Sequence, residues 1–313
     1  MVIDCGSIVD VPGVRVGHAD DRTAETGCTV VLFDAFDDSG AVCGVDVRGS
    51  APGTRETDVL GPTATVQRVH AVVLCGGSAF GLDAASGVAS ALEAAGIGFA
   101  VGPWRVPIVP AAVIFDLFSG DGRVRPDRAM GAAAVAAASR ERPASGRCGA
   151  GAGARVAKLA GLDRARFGGV GSASRRHGDL VVGALAVCNA VGNVYDPRTG
   201  EALAEPRDDG GGFDLHAALA AERGPLPLPG TNTTLAVVAT NALLDRAGAT
   251  KIAQMAHDGL ARAVVPAHLT RDGDTIFACG AGSLAADLDL VGVLAAEAVA
   301  DAIAGGVRAA NAR

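Results

Sequence analysis

The sequence predicts an α/β fold built as one domain over residues 1–313, and three observations predict it. First, a chain of 313 residues hides about 73% of the surface its unfolded form exposes, which supports one large core. Second, hydrophobic residues make up 49% of the chain, aromatics only 4%, and glycines number 44. The core must therefore be Ala, Val and Leu packed at short range, which suits helices lying close on sheets. Third, a strand, glycine turn and helix unit near Gly76 is followed, after Thr231, by strand and helix patterns too thin to stand alone. Those late strands are expected to complete a sheet begun upstream.

Short strands open the fold at Val14 to Val16 and Thr29 to Phe33, separated by the polar turn Asp20, Asp21, Arg22. Ala71 to Leu74 is an apolar strand running into Cys75, Gly76, Gly77 and Ser78, after which small and apolar residues recur at helical spacing from Ala79 to Ala95. Val106 to Phe115 contains Pro107 and Pro110. Proline cannot donate to a ladder, so this stretch reads as an extended wall or edge segment rather than a central strand. Met130 to Ala138 reads as an Ala-rich helix, the glycine-dense run Cys148 to Gly153 precedes Ala154 to Ala160, and Leu180 to Cys188 reads as a strand.

From Asp196 to Thr231 the composition turns polar and breaker-rich, with Gly210 to Gly212 and then Gly224 to Gly230. A loop this long is uncommon unless it is functional or disordered, and as composition alone it passes for a linker. The C-terminal segment argues against a linker: it holds a strand from Leu235 to Thr240, a helix from Asp245 to Ala263, the turn Asp272, Gly273, Asp274, a strand from Thr275 to Cys279 and a helix from Asp289 to Ala304.

Charge and cysteine usage narrow the function classes. With 27 basic and 34 acidic residues the net charge is −7, and no basic run occurs, so neither nucleic acid nor an anionic membrane is indicated as a partner. The seven cysteines (Cys5, Cys28, Cys43, Cys75, Cys148, Cys188, Cys279) are odd in number and form no CxxC pair, which argues against a disulfide framework or a zinc site. The N-terminus lacks a basic region leading into an apolar stretch, and no uncharged apolar span long enough to cross a bilayer occurs. A soluble, cytoplasmic protein is expected.

Gly149 to Ala154 satisfies GxGxxA, but a charged, breaker-containing stretch precedes it where the dinucleotide fingerprint needs a strand. Gly76 to Gly81 follows a strand, but Phe80 stands where a GxSxG elbow needs glycine. The six histidines show no ligand spacing, so no cofactor and no metal are expected.

Three places carry chemistry. Asn232, Thr233 and Thr234 join the breaker-rich loop to an apolar strand, placing a hydroxyl at the rim of a sheet. A threonine hydroxyl is a weak nucleophile unless a base adjoins it. One such base is the residue's own α-amine, exposed by cleavage of the preceding peptide bond and titrating at about 7.8. Asp272 and Asp274, two positions apart at a strand start, project to one side and can accept hydrogen bonds from an ammonium and a hydroxyl together. Asn189, where a strand gives out, offers an amide that can stabilise an oxyanion or close a turn. Each also has a plain structural reading as a turn. Finally, only Lys158 and Lys251 among the 27 basic residues are lysine, and lysine's pKa, unlike arginine's, can be lowered by burial or by charged neighbours.

Asp10 to His18, Asp46 to Thr54, Leu74 to Asp83, Val106 to Asp116, Gly149 to Lys158, Gly168 to Ser174, Asn189 to Asn193 and the Asn232-Thr233-Thr234 junction together resemble the DmpA-type self-processing aminopeptidase family, in its nylon-oligomer hydrolase branch. The resemblance implies a four-layer αββα sandwich of the DmpA/ornithine-acetyltransferase-like type and a precursor that cuts itself into 1–232 and 233–313. Thr233 matches the nucleophile, Asn232 the residue giving up its carbonyl, Asp272 and Asp274 the acidic pair, Lys158 the family lysine and Asn189 the oxyanion-side amide.

A small peptide or amide, including 6-aminohexanoate oligomers, is the implied substrate, and a homotetramer of processed protomers the implied assembly. Many aminopeptidase members use serine at the cut and a Ser/Glu pair downstream; threonine and two aspartates are similar to the nylon-oligomer branch. Phe115 stands where some relatives have tyrosine. The competing readings are an uncleaved, non-catalytic small-molecule-binding protein of the same fold, and an acyltransferase working through the same acyl-threonine.

Overall fold

The computed structural model describes residues 6–34, 40–207, 214–220 and 230–312; Cys5, Gly210 to Gly212 and the glycine-proline run before Gly230 lie outside them. Two sheets dominate. One has five strands in the order Val14–Asp21, Thr26–Phe33, Ala71–Cys75, Ala111–Val113, Thr54–Arg55. The other has six, in the order Gly169–His177, Leu180–Asn189, Thr233–Ala242, Thr275–Leu284, Ala41–Val47, Arg68–Val69. The helices are α1 (Ala84–Ala94), α2 (Arg128–Ala136), α3 (Leu215–Ala220), α4 (Arg246–Ala263) and α5 (Leu288–Asn311). Asp127, Asp245 and Asp287 cap α2, α4 and α5, each side chain accepting a backbone N–H of the first turn.

Strand alternation produces the layers, because successive side chains point to opposite faces. From the first sheet Val30, Leu32 and Val73 pack with residues of α1 and α2, while Val31, Phe33, Val72 and Leu74 face the second sheet. From the second, Leu185, Val187, Leu235, Val237 and Phe277 return that contact, while Ala184, Ala186, Ala236, Val238 and Ile276 pack under α4 and α5. The order is helices, sheet, sheet, helices, the expected αββα sandwich.

Four details differ from the sequence expectation. Ser78–Asp83 is a 3-10 turn, and the α-helix starts only at Ala84. Ala111–Val113 lies inside the first sheet, parallel to Ala71–Cys75 and antiparallel to Thr54–Arg55, because both prolines fall just before it and remove no donor from the ladder. Ala41–Val47 and Gly169–His177 are full strands that carry no long apolar run. Their glycines admit helices instead: a Cβ at Gly44 would sit 2.3 Å from Thr250 N, and one at Gly171 2.1 Å from Ala302 O. Helix α5 is long and apolar enough to span a bilayer by composition, yet 72% of its apolar window is buried inside the protein, as befits a core helix.

The six described cysteines are buried and free. Cys43 and Cys279 are cross-strand partners, with their sulfurs 2.9 Å apart.

Candidate active site

Strand register assembles the site. Thr233 opens a strand that pairs antiparallel with Leu180–Asn189, which sets Thr233 opposite Asn189. The same strand pairs parallel with Thr275–Leu284, Leu235 opposite Thr275, and a bridge joins Asn232 to Asp272. The turn Asp272-Gly273-Asp274 therefore lies alongside Asn232-Thr233-Thr234. All six predicted residues come together and all are buried: Asn232 0%, Asn189 1%, Lys158, Asp272 and Asp274 2%, Thr233 3% exposed.

At the centre Thr233 Oγ1 donates to the carbonyl oxygen of Asn232 at 2.5 Å, and the Gly273 N–H donates to the same oxygen at 2.8 Å. A Cβ on residue 273 would stand 2.7 Å from Thr233 Oγ1, so glycine is what lets the turn approach. The segment after Asp46 holds that turn from outside: the Arg48 and Gly49 N–H groups donate to the Asp274 carbonyl, and Ala51 N–H to the Asp272 carbonyl.

The two aspartates differ. Asp274 Oδ1 accepts the Thr234 N–H at 2.7 Å, and its Oδ2 accepts the His268 backbone N–H at 3.2 Å and ring Nδ1 at 2.8 Å. Asp272 Oδ2 accepts the Leu269 N–H at 2.7 Å, while its buried Oδ1 meets no partner among the described residues. Burial and the neighbouring Asp274 charge push Asp272 up to about 7.

Lys158 enters from a 3-10 turn behind Ala157, whose φ is +57°. Its ammonium donates to Asn189 O at 2.8 Å, Thr231 O at 3.0 Å and Asn189 Oδ1 at 3.2 Å. Burial pulls its pKa down to about 7 against the attraction of Asp272, Cys188 and Asp274. Lys158 thus reaches the chain two residues before Thr233, with no direct hydrogen bond to Thr233 Oγ1. Asn189 Nδ2 donates to Phe115 O at 3.1 Å and Thr231 O at 3.3 Å, so the backbone donor that joins Thr233 Oγ1 on the Asn232 carbonyl is the Gly273 N–H and not the Asn189 amide. The arrangement supplies a hydroxyl against a peptide carbonyl, a donor on that carbonyl's oxygen, and two ionisable groups poised near neutrality.

The profile of peptidase family S58 matches residues 6–312. The chain belongs to that family. It is 45% identical over 293 residues to an uncharacterized aminopeptidase of Mycobacterium bovis, covering 89% of this chain and 82% of the relative. It is 32% identical over 313 residues to the 6-aminohexanoate-oligomer endohydrolase of a Kocuria species, covering 94% and 84%.

Among solved structures, a Burkholderia β-aminopeptidase superposes with a TM-score of 0.72 at 22% identity, covering 97% of this chain and 87% of that one. The L-aminopeptidase D-Ala-esterase/amidase of Ochrobactrum anthropi, described as a variant of the Ntn hydrolase fold, superposes with a TM-score of 0.72 at 18% identity, covering 98% and 87%. The S58 chain is a hydrolase with an Ntn-hydrolase-like fold, as the motif resemblance implied.

His268 is the residue at this site that sequence reasoning missed. Its one available signal was position, four residues before the acidic turn, and position alone does not distinguish it from a loop histidine.

Proposed function

We propose that this S58 hydrolase matures by cutting its own Asn232-Thr233 bond and then works as an N-terminal-threonine amide hydrolase. The observation that carries the reading is the 2.5 Å contact of Thr233 Oγ1 with the carbonyl oxygen of Asn232. A hydroxyl this near the carbonyl it would attack supports the reading, because it makes the encounter intramolecular in place of bimolecular.

In the first step Oγ1 adds to the Asn232 carbonyl carbon, with the Gly273 N–H stabilising the oxyanion. The C–N bond then breaks, the nitrogen takes the hydroxyl proton, and an ester joins Asn232 to Thr233. Water hydrolyses the ester, giving a carboxylate on Asn232 and a free α-amine and hydroxyl on Thr233. In turnover that amine takes the hydroxyl proton as Oγ1 attacks a substrate amide; buried Lys158 lowers the amine's pKa by like-charge proximity, and the aspartates orient amine and hydroxyl.

The product fragments are 1–232 and 233–313. They stay associated, because strands Thr233–Ala242 and Thr275–Leu284 lie between Leu180–Asn189 and Ala41–Val47 of the larger fragment. Substrates are short peptides, amino-acid amides or 6-aminohexanoate oligomers, the last suggested by the Kocuria relative's name. The working form is a cytoplasmic homotetramer of processed protomers.

Denaturing electrophoresis tests the reading: wild type runs as two bands and Thr233→Ala as one. A Thr233→Ala protein that still splits at this bond overturns it.

A further inference from the structure

His268 makes an unusual double contact. Its backbone N–H and its ring Nδ1 both converge on one oxygen, Asp274 Oδ2. The convergence needs a left-handed backbone, and His268 sits at φ +57°, a region that non-glycine residues enter at a cost and that His, Asn and Asp enter most readily. The ring has a second neighbour: the His257 ring packs against it in a T-shaped arrangement with centroids 4.8 Å apart. His257 is in turn anchored by its Nε2 to the Asp46 carbonyl at 3.1 Å, and burial holds its pKa down to about 4, so that wall is uncharged at neutral pH.

The consequence runs through Asp274 to the scissile bond. A carboxylate gripped by one oxygen can swing about its terminal torsion. Gripping Oδ2 twice sets the carboxylate plane, so that Oδ1 meets the Thr234 N–H at 2.7 Å. That N–H belongs to the peptide unit joining Thr233 to Thr234. Fixing this plane fixes the backbone of Thr233 and thereby the aim of Oγ1 at the Asn232 carbonyl.

We propose that His268 is a positioning residue of the self-cleavage site, clamping Asp274 through its backbone N–H and Nδ1 donors so that Thr233 stays aligned for attack. The proposal deepens the reading of Thr233 as nucleophile and rests on it. His268 touches neither the scissile carbonyl nor Thr233 Oγ1, and its part is to hold the group that holds the backbone.

Two isosteric variants separate this role from mere support of the loop. His268→Asn keeps a donor on the same branch position as Nδ1, whereas His268→Asp replaces it with an acceptor; both residues tolerate positive φ. His268→Ala removes the donor without adding charge. Freshly folded precursors are followed by denaturing electrophoresis for cleavage, with the melting temperature recorded alongside, and the processed material is assayed for kcat and KM on one amide substrate.

His268→Asn is expected to cleave within about 3-fold of wild type, and the Asp and Ala variants to slow cleavage about 30-fold or more, with kcat lowered and KM unchanged. Wild-type cleavage by either donor-less variant overturns the proposal, as does a His268→Asn protein as slow as His268→Asp. If neither donor-less variant folds, His268→Asn decides alone: a retained rate supports the proposal and a lost rate overturns it. Thr233→Ala runs beside them. Its cleavage would sink the nucleophile reading and this proposal with it, whereas failure of the His268 series beside an uncut Thr233→Ala sinks the proposal alone.

Discussion

Two buried carboxylate sites, one against each sheet, differ in how completely their oxygens are satisfied. Against the first sheet, Asp116 is 4% exposed; its Oδ1 accepts the Gly77 N–H at 2.6 Å and its Oδ2 the Thr26 hydroxyl at 2.8 Å. Burial raises its pKa, while those donors pull the other way. Each oxygen is occupied by a neutral donor.

At the end of the second sheet Asp272 and Asp274 are equally buried, but Asp272 Oδ1 has no partner among the described residues, a buried lysine lies close enough to act on Asp272 electrostatically, and a hydroxyl rests on a peptide carbonyl. Both places rely on glycine for close approach, at Gly76 against Asp116 and at Gly273 against Thr233. Burial of a carboxylate therefore does not by itself mark a reactive site. What distinguishes the second is ionisable capacity left unsatisfied beside a hydroxyl that contacts a peptide carbonyl.

Deleting one hydroxyl on each side puts that contrast at risk. Thr233→Ala is expected to abolish self-cleavage and to lower amide hydrolysis about 1,000-fold or more, because no other hydroxyl among the described residues bonds to the Asn232 carbonyl; the absence of fragments after days of incubation checks the first and an amide assay the second. Thr26→Ala should leave cleavage unchanged and lower unfolding free energy by about 1–2 kcal/mol, the cost of a lost buried hydrogen bond, read from urea melts. A Thr26→Ala protein that no longer cut would merge the two sites into one.

Lys158→Met should fold, since it removes a buried charge, yet lower kcat about 100-fold. Normal turnover would take Lys158 out of the site.

The smallest effect concerns pH and bears on the electrostatic half of the contrast. In the unfolded chain Lys158 keeps its proton up to its ordinary 10.5, but in the folded protein only up to about 7. Between those values the unfolded state binds more protons, so stability rises with pH. Asp272 acts in the opposite sense. Its folded pKa of about 7 lies above the ordinary 3.8, so its contribution is lost as pH rises from 3.8 to 7. The combined contribution of these two groups to the stability of the uncut Thr233→Ala protein should therefore pass through a minimum near pH 7, and adding Lys158→Met should flatten the alkaline limb. Urea melts across the range test both signs.

Much of this site was legible because the apolar run of each strand is a local pattern. Leu235 to Thr240 and Thr275 to Cys279 read as strands, and once they pair in parallel the acidic turn must fall beside Asn232 and Thr233. Lys158 stood out because arginine replaces lysine almost everywhere else. Other features were not legible because they depend on tertiary approach. Gly169–His177 shows no long apolar run, as Gly171 makes room for α5 instead of supplying a side chain to the core. Lys158 reaching Thr231 rather than Thr233, and Gly273 supplying the donor on the Asn232 carbonyl, depend on how a loop closes over a strand end. His268 acts through Asp274, a contact no spacing rule contains.

Self-cleavage stands or falls most plainly on mass spectrometry of the purified wild-type polypeptide under denaturing conditions. Two species are expected, residues 1–232 and a second chain beginning at Thr233 with a free amine. A single intact chain that nonetheless hydrolyses amides at full rate would refute the cut as the source of the catalytic base.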